Sequence, residues 1–199
     1  TIPSINNYKQ LLVDDYKSNY QYLIGKLKYR FDSRDIYIDP TKGEHLSIIL
    51  IPRISLNNSP SYYSLLFTYK KYVHLSNIIE GLVFLSKSKI VIKNSNLFPP
   101  FAYEYLGGEG HVRGYSPVIK QNPEEVQDLL QGYNLYYQNI QLQHTFIEKK
   151  DYFGVELGMD LIYFVDVGII ANEIQSIQAN RFIFGYGVGF RFFITGPGV

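Results

Sequence analysis

Cysteine and tryptophan are absent from the 199 residues, and methionine occurs once. Without Cys there is no disulfide framework, no thiolate metal site and no Cys nucleophile. Charge of either sign is scarce: 19 Lys and Arg against 18 Asp and Glu leave a net +1, so no global field draws the chain to nucleic acid or anionic lipid. Charged residues make up only 19%, where a soluble domain carries about 25%. Long hydrophobic runs are missing as well. A spanning helix needs roughly 20 mostly apolar residues, and the uncharged stretch Leu129 to Ile147 is studded with Gln and Asn. The start, Thr1 to Asn7, has neither a basic n-region nor an apolar h-region, so no signal peptide is expected and the chain reads as a mature or internal start. What the chain holds instead is aromatic: 19 Tyr and 13 Phe. Its length fits one domain or part of a larger one.

The dominant local pattern is alternation, the period of a strand. From Phe182, the positions Phe184, Tyr186, Val188, Phe190 and Phe192 share one parity, opposed by Ile183, Gly185, Gly187, Gly189 and Arg191. The preceding segment repeats this over about 15 residues, longer than the usual 5 to 6. Val155, Leu157, Met159, Leu161, Tyr163, Val165, Val167 and Ile169 oppose Gly154, Glu156, Gly158, Asp160, Asp166 and Gly168, with Ile162 and Phe164 as exceptions. Weaker copies run through Ile140–Phe146, Tyr63–Val73, Leu46–Ile54 and Leu23–Phe31, and a strand of poor alternation is expected around Ile78–Ile92. About seven antiparallel strands result, joined by turns such as Asn57-Asn58-Ser59-Pro60 and Lys149-Lys150-Asp151.

Two architectures carry such strands. A soluble sandwich or lipocalin-like barrel, which could bind an apolar ligand, would turn the greasy face inward. Here the greasy face is crowded with Phe and Tyr, and the other holds glycines and isolated charges, which favours a membrane barrel facing lipid outward. Tyr at strand ends would form interfacial girdles, and His144 on the apolar face reads as an interfacial or loop-end residue. An open sheet in hydrocarbon leaves edge groups unpaired. Seven strands are therefore expected to be a portion of a barrel, or to close with another chain.

Alternation stops between about residues 98 and 135, a span far above the usual loop length and therefore read as functional. It contains Gly107, Gly108, Gly110, His111, Val112, Arg113, Gly114 and Tyr115. Glycines flanking the Arg allow close backbone approach, and a guanidinium at such a tip can take a carboxylate bidentately. A phosphate-cradling reading lacks the strand-to-helix context and the Lys-Ser/Thr pair. His45, His74, His111 and His144 show no metal spacing and no Ser sits in a nucleophile elbow, so no enzyme activity, cofactor or metal is expected.

Four motifs in order resemble the C-terminal barrel domain of the BamA/TamA (bacterial surface antigen) superfamily, with organellar Sam and Toc relatives. They are Phe31-Asp32-Ser33-Arg34-Asp35 with Asp39-Pro40-Thr41-Lys42-Gly43; Gly107-Gly108 with Val112-Arg113-Gly114-Tyr115; Phe164-Val165-Asp166-Val167-Gly168; and Gly185-x-Gly187-x-Gly189-Phe190-Arg191 with Gly196-Pro197. The resemblance implies an outer-membrane antiparallel β-barrel of about sixteen strands, of which this chain is a part, with residues 98–135 as a long extracellular loop folded into the lumen. It implies that Arg113 pairs with Asp166, which parity already puts on the polar face. Gln143 stands near a family Glu and is expected to join that docking site by hydrogen bonding. The implied function is insertion or translocation of other outer-membrane or surface proteins. The implied partners are outer-membrane lipids, client β-barrel or secreted proteins, and accessory lipoproteins or other chains closing the barrel. An anchor or channel for a fused lipase-like or phosphoesterase domain is the alternative.

Overall fold

A computed structural model describes residues 20–57, 59–94, 99, 102–108, 111–115, 130–153, 155–178 and 181–195. Thr1 to Asn7, Asn58, Gly110, Leu129, Gly154, Gly196 and Pro197, named above, lie outside that set. Among the described residues the fold is an antiparallel sheet, and no helix is long and apolar enough to cross a membrane. The strands are β1 (Tyr22–Ile24), β2 (Leu27–Asp32), β3 (Gly43–Ser55), β4 (Tyr62–His74), β5 (Leu82–Lys93), β6 (Glu104–Tyr105), β7 (Gln131–Gly132), β8 (Asn134–Tyr152), β9 (Val155–Ala171) and β10 (Ile183–Thr195). The main sheet runs β3-β4-β5-β8-β9-β10, with β1 and β2 both on the free side of β3; β6 and β7 form a small ribbon inside the long loop.

β1 and β2 keep one register on β3, Ile24 opposite Arg53 and Leu27 opposite Leu50, so they are one row with a gap. The gap has a chemical cause. Gly25 donates its N–H to the Pro52 carbonyl at 3.1 Å, but Pro52 has no N–H to return. Counted this way the sheet has seven rows, as alternation indicated.

The faces follow the parity. On β10, Phe184, Tyr186, Val188, Phe190, Phe192 and Ile194 are exposed, while Ile183 and Gly185 on the other parity are buried. On β9, Leu157, Tyr163 and Val165 face out, and Asp160, Asp166, Gly168 and Ile170 are buried. The outer side is therefore the apolar one, the arrangement of a transmembrane β-barrel wall. Several of its polar exceptions pair with one another. The Ser88 hydroxyl donates to Gln138 Oε1 at 2.5 Å, Gln138 Nε2 donates to Ser86 Oγ at 2.9 Å, and Lys71 meets Glu44 at 3.1 Å.

Two sequence expectations shift. The strand expected from Ile78 begins at Leu82. Residues 75–81 form a turn, in which Ile78 N–H donates to Leu75 O at 2.9 Å and Gly81 adopts φ 70°. The turn expected at Lys149-Lys150-Asp151 lies farther on, at Phe153 (φ 57°). β8 reaches that point through two irregularities, between Thr145 and Ile147 and between Ile147 and Lys150, which absorb the parity breaks that resemble a turn in the sequence.

The main hydrophobic core of the described residues lies on the inner face, at the end where the long loop leaves the sheet. Leu106, Val112 and Leu130 of the loop pack there with Val91, Leu135, Tyr137, Ile170 and Ile183 of the wall. Leu106 and Val112 are fully buried, each contributing about 1.5–3 kcal/mol of burial. The loop thus completes the larger of two clusters; the smaller, Tyr72, Val83 and Leu85, is built by β4 and β5 alone.

Candidate functional site

Both feet of the loop are tied to the wall. Lys93, the last residue of β5, donates its backbone N–H to Asn134 Oδ1 at 2.9 Å, and Asn134 Nδ2 donates to Asn172 O at 3.0 Å. The Lys93 ammonium turns inward to Glu104 Oε1 at 2.9 Å and to the Ala102 carbonyl. From there the chain makes a compact tip. Val112 N–H donates to Leu106 O at 3.0 Å and Gly108 N–H to Tyr115 O at 2.8 Å. Gly108 (φ 92°) and Gly114 (φ 90°) hold left-handed conformations that side-chain-bearing residues rarely adopt.

The tip delivers Arg113 to Asp166, whose side chain is 0% exposed. Asp166 Oδ2 accepts from Arg113 Nε at 2.7 Å and from the Arg113 backbone N–H at 3.1 Å. Oδ1 accepts from Arg113 Nη2 at 3.1 Å, Tyr137 Oη at 3.1 Å and Asn139 Nδ2 at 2.6 Å. A buried carboxylate needs this degree of satisfaction to remain charged. The guanidinium also lies 3.3 Å from the centroid of the Phe164 ring, a stacking that Arg favours.

The wall glycines make room for this contact. A Cβ at Gly168 would lie 2.6 Å from Leu106 Cδ1 and 2.9 Å from Val112 Cγ2, and one at Gly185 would lie 2.5 Å from the Arg113 carbonyl oxygen. At Gly187 it would meet the Phe164 ring at 2.8 Å. Gly187, Phe164 and Arg113 are therefore stacked in that order. Gly189 has open space beside it, so it has no part in the stack. Tyr115 packs partly buried against the core, and Gly107 bridges Val112.

Gln143 belongs elsewhere. Expected beside Arg113, it accepts instead from Arg191 Nη2 at 3.2 Å and donates to Gln141 at 3.0 Å. Register explains the shift: Asn139, not Gln143, is opposite Asp166, whereas Gln143 is opposite Ile162. Arg191 itself pairs with Asp160 at 2.5 Å, well away from Arg113.

Sequence reasoning missed Tyr137, Asn139, Lys93 and Glu104. It named His111 but gave it no role; in the fold His111 Nε2 accepts from Lys89 Nζ at 2.8 Å. Burial, then the charges of Lys89 and Lys87, push the His111 imidazole down to about 4. The available signal was the inner parity of β5, where Lys87, Lys89 and Lys93 recur at every second or fourth position facing a loop that holds His111 and Glu104.

An antiparallel wall, apolar outside, with a loop docked by an ion pair on its inner side, defines a partial outer-membrane-type β-barrel. The chain belongs to the Omp85 superfamily: that superfamily's domain model matches residues 2–194. Members of this superfamily insert or translocate proteins at the outer membrane. No curated protein matches the chain.

Proposed function

We propose that this chain is the wall-and-loop part of an outer-membrane barrel that inserts or translocates other outer-membrane or surface proteins, with residues 98–135 as its extracellular loop. The observation that carries the reading is the Arg113–Asp166 dock on a glycine-cleared wall, in a chain of this superfamily. The role is mechanical rather than chemical. Val112, Arg113, Gly114 and Tyr115 hold the loop against β8–β10 and keep the lumen in shape, while the outer Phe and Tyr face outer-membrane lipid. Client β-barrel or secreted proteins are the substrates, and accessory lipoproteins or other chains close the barrel.

The test is Arg113→Ala in the full-length protein, with client outer-membrane protein levels measured beside the variant's own level. The expected result is a fall in client levels with the variant still inserted. Client levels equal to wild type, with the loop shown to be released, would exclude a role for docking.

A further inference from the structure

The chain is near neutral as a whole, yet charge on the inner face of the sheet is segregated. On β2–β5 the cations Lys28, Arg30, Arg53, Lys70, Lys87 and Lys89 share the inward parity with Lys93, and Asp32 is the one inward carboxylate of those four strands. The acids nearby are already engaged. Asp32 holds Arg30 at 2.5 Å and Arg34 at 2.7 Å, and Glu104 holds Lys93 at 2.9 Å. Asp166 holds Arg113, and Asp39 holds Arg191 at 2.6 Å and Lys149 at 2.7 Å.

Lys70 and Lys87 stand directly opposite each other on β4 and β5. They are the middle of one rung that runs from Asp32 through His45, Lys70, Lys87 and Asn139 to Asp166. Like charges so opposed, with Cβ atoms about 5 Å apart, destabilise a sheet. Among the described residues Lys70 has no hydrogen bond or ion pair to offset this. Lys87 Nζ lies 5.4 Å from the centroid of the Tyr137 ring. Lys89 and Arg53 have neutral partners: His111 Nε2 accepts from Lys89, and Ser64 Oγ accepts from Arg53 at 3.0 Å. The face therefore carries surplus positive charge.

Spacing selects the ligand. Inward side chains of β5 recur every two residues, about 6.8 Å, and an extended polypeptide presents its same-face side chains at that period. Acidic residues at alternate positions would meet Lys87 and Lys89 in step. A carboxylate over the Lys70–Lys87 pair can accept from one ammonium on each oxygen, and Lys89 keeps further donors beyond the one given to His111. Lipid phosphates are a poorer match, because Lys87 is mid-strand and both lysines face away from the lipid side of the wall.

We propose that the inner face of β4 and β5 is a track for an extended acidic segment of a polypeptide, centred on Lys70 and Lys87. The inference rests on the reading that this barrel handles client proteins, and adds which of their segments the inner face takes.

The experiment is fluorescence anisotropy of labelled peptides with the purified full-length protein in detergent. The probes are a peptide alternating Glu and Thr, one of the same composition with its Glu gathered in a block, and one with Gln for Glu. The alternating peptide should bind best and the Gln peptide not at all. Lys70→Gln and Lys87→Gln should each weaken binding about fivefold. Lys70→Arg should retain it, and Lys71→Gln, on the outer face, should leave it unchanged. If a Gln variant does not fold, wild-type protein tests the same point, since its affinity for the alternating peptide should fall as salt rises. Wild-type protein that binds no acidic peptide, as when carboxylates of strands outside this chain hold the lysines, would overturn the track. So would binding unaltered in both Gln variants, or equal binding of the alternating and block peptides. No client assembly enters the measurement, so it can fail while the Arg113→Ala result stands, and the reverse.

Discussion

Gly185 and Gly189 sit on the same strand, face the same side and differ in one respect, which makes them a matched pair for testing loop docking. Neither has the positive φ that would strain an alanine. At Gly189 a new Cβ meets nothing within 4 Å, so Gly189→Ala should stabilise the strand by about 0.5–1 kcal/mol through lower chain entropy. At Gly185 the Cβ would lie 2.5 Å from the Arg113 carbonyl and 3.2 Å from Val112 Cγ1. A backbone oxygen cannot swing away as a side-chain tip can. The neighbouring Arg113 N–H is hydrogen-bonded to Asp166, so relieving the clash pulls directly on the dock. Overpacking of this kind costs about 1–3 kcal/mol, which raises the released fraction of the loop by roughly 5- to 150-fold. Hydrogen exchange of residues 106–115 in detergent-solubilised full-length protein reads that fraction. The expected result is lost protection in Gly185→Ala and unchanged or better protection in Gly189→Ala. Equal protection in both variants would refute the close packing of loop on wall.

Asp166→Asn leaves Arg113 without its counter-charge. Because Arg113 is one-third exposed, the destabilisation should fall near the lower end of the roughly 3–5 kcal/mol typical of a broken buried pair, read as a shift in the denaturant midpoint. Acidification should also release the tip. The His111 ring sits at about 4 in the fold, below its ordinary value near 6.5, so unfolding or undocking takes up a proton. Stability is complete above about pH 6.5 and falls as pH drops toward 4, where protonation also abolishes the Lys89-to-His111 hydrogen bond. Protease sensitivity of the loop measured between pH 8 and 4 should rise over that interval, and His111→Gln should flatten the profile.

The wall was legible in the sequence because its physics is one-dimensional. Tyr186 and Gly187 differ by one position and face opposite media, and period 2 records this without knowledge of any neighbour. The Arg113–Asp166 contact was legible only through parity joined to a family pattern, since 53 positions separate the two. Register was not legible. Asn139 and Gln143 share one parity and one chemistry, and only the pairing of β8 with β9 decides which stands beside Asp166. The Asp39–Arg191 contact, 152 positions apart, depends on the curvature of the whole sheet, which no local pattern encodes. Turn boundaries were displaced for a different reason. The charged run Glu148 to Asp151 looks like a turn, yet it continues β8 beyond the edge of its β5 neighbour.

The seat of the loop is shared between strands: Gly185 on β10 is the direct cross-strand partner of Asp166 on β9. A slip of one residue between those strands would turn the side chains of one of them to the other face, putting Phe184 or Tyr186 where the Arg113 backbone must lie. The loop therefore cannot seat until β9 and β10 have paired correctly. Docking is in that sense a reading of register: a β9–β10 pair in the observed alignment has room for the loop, and a pair slipped by one residue has none.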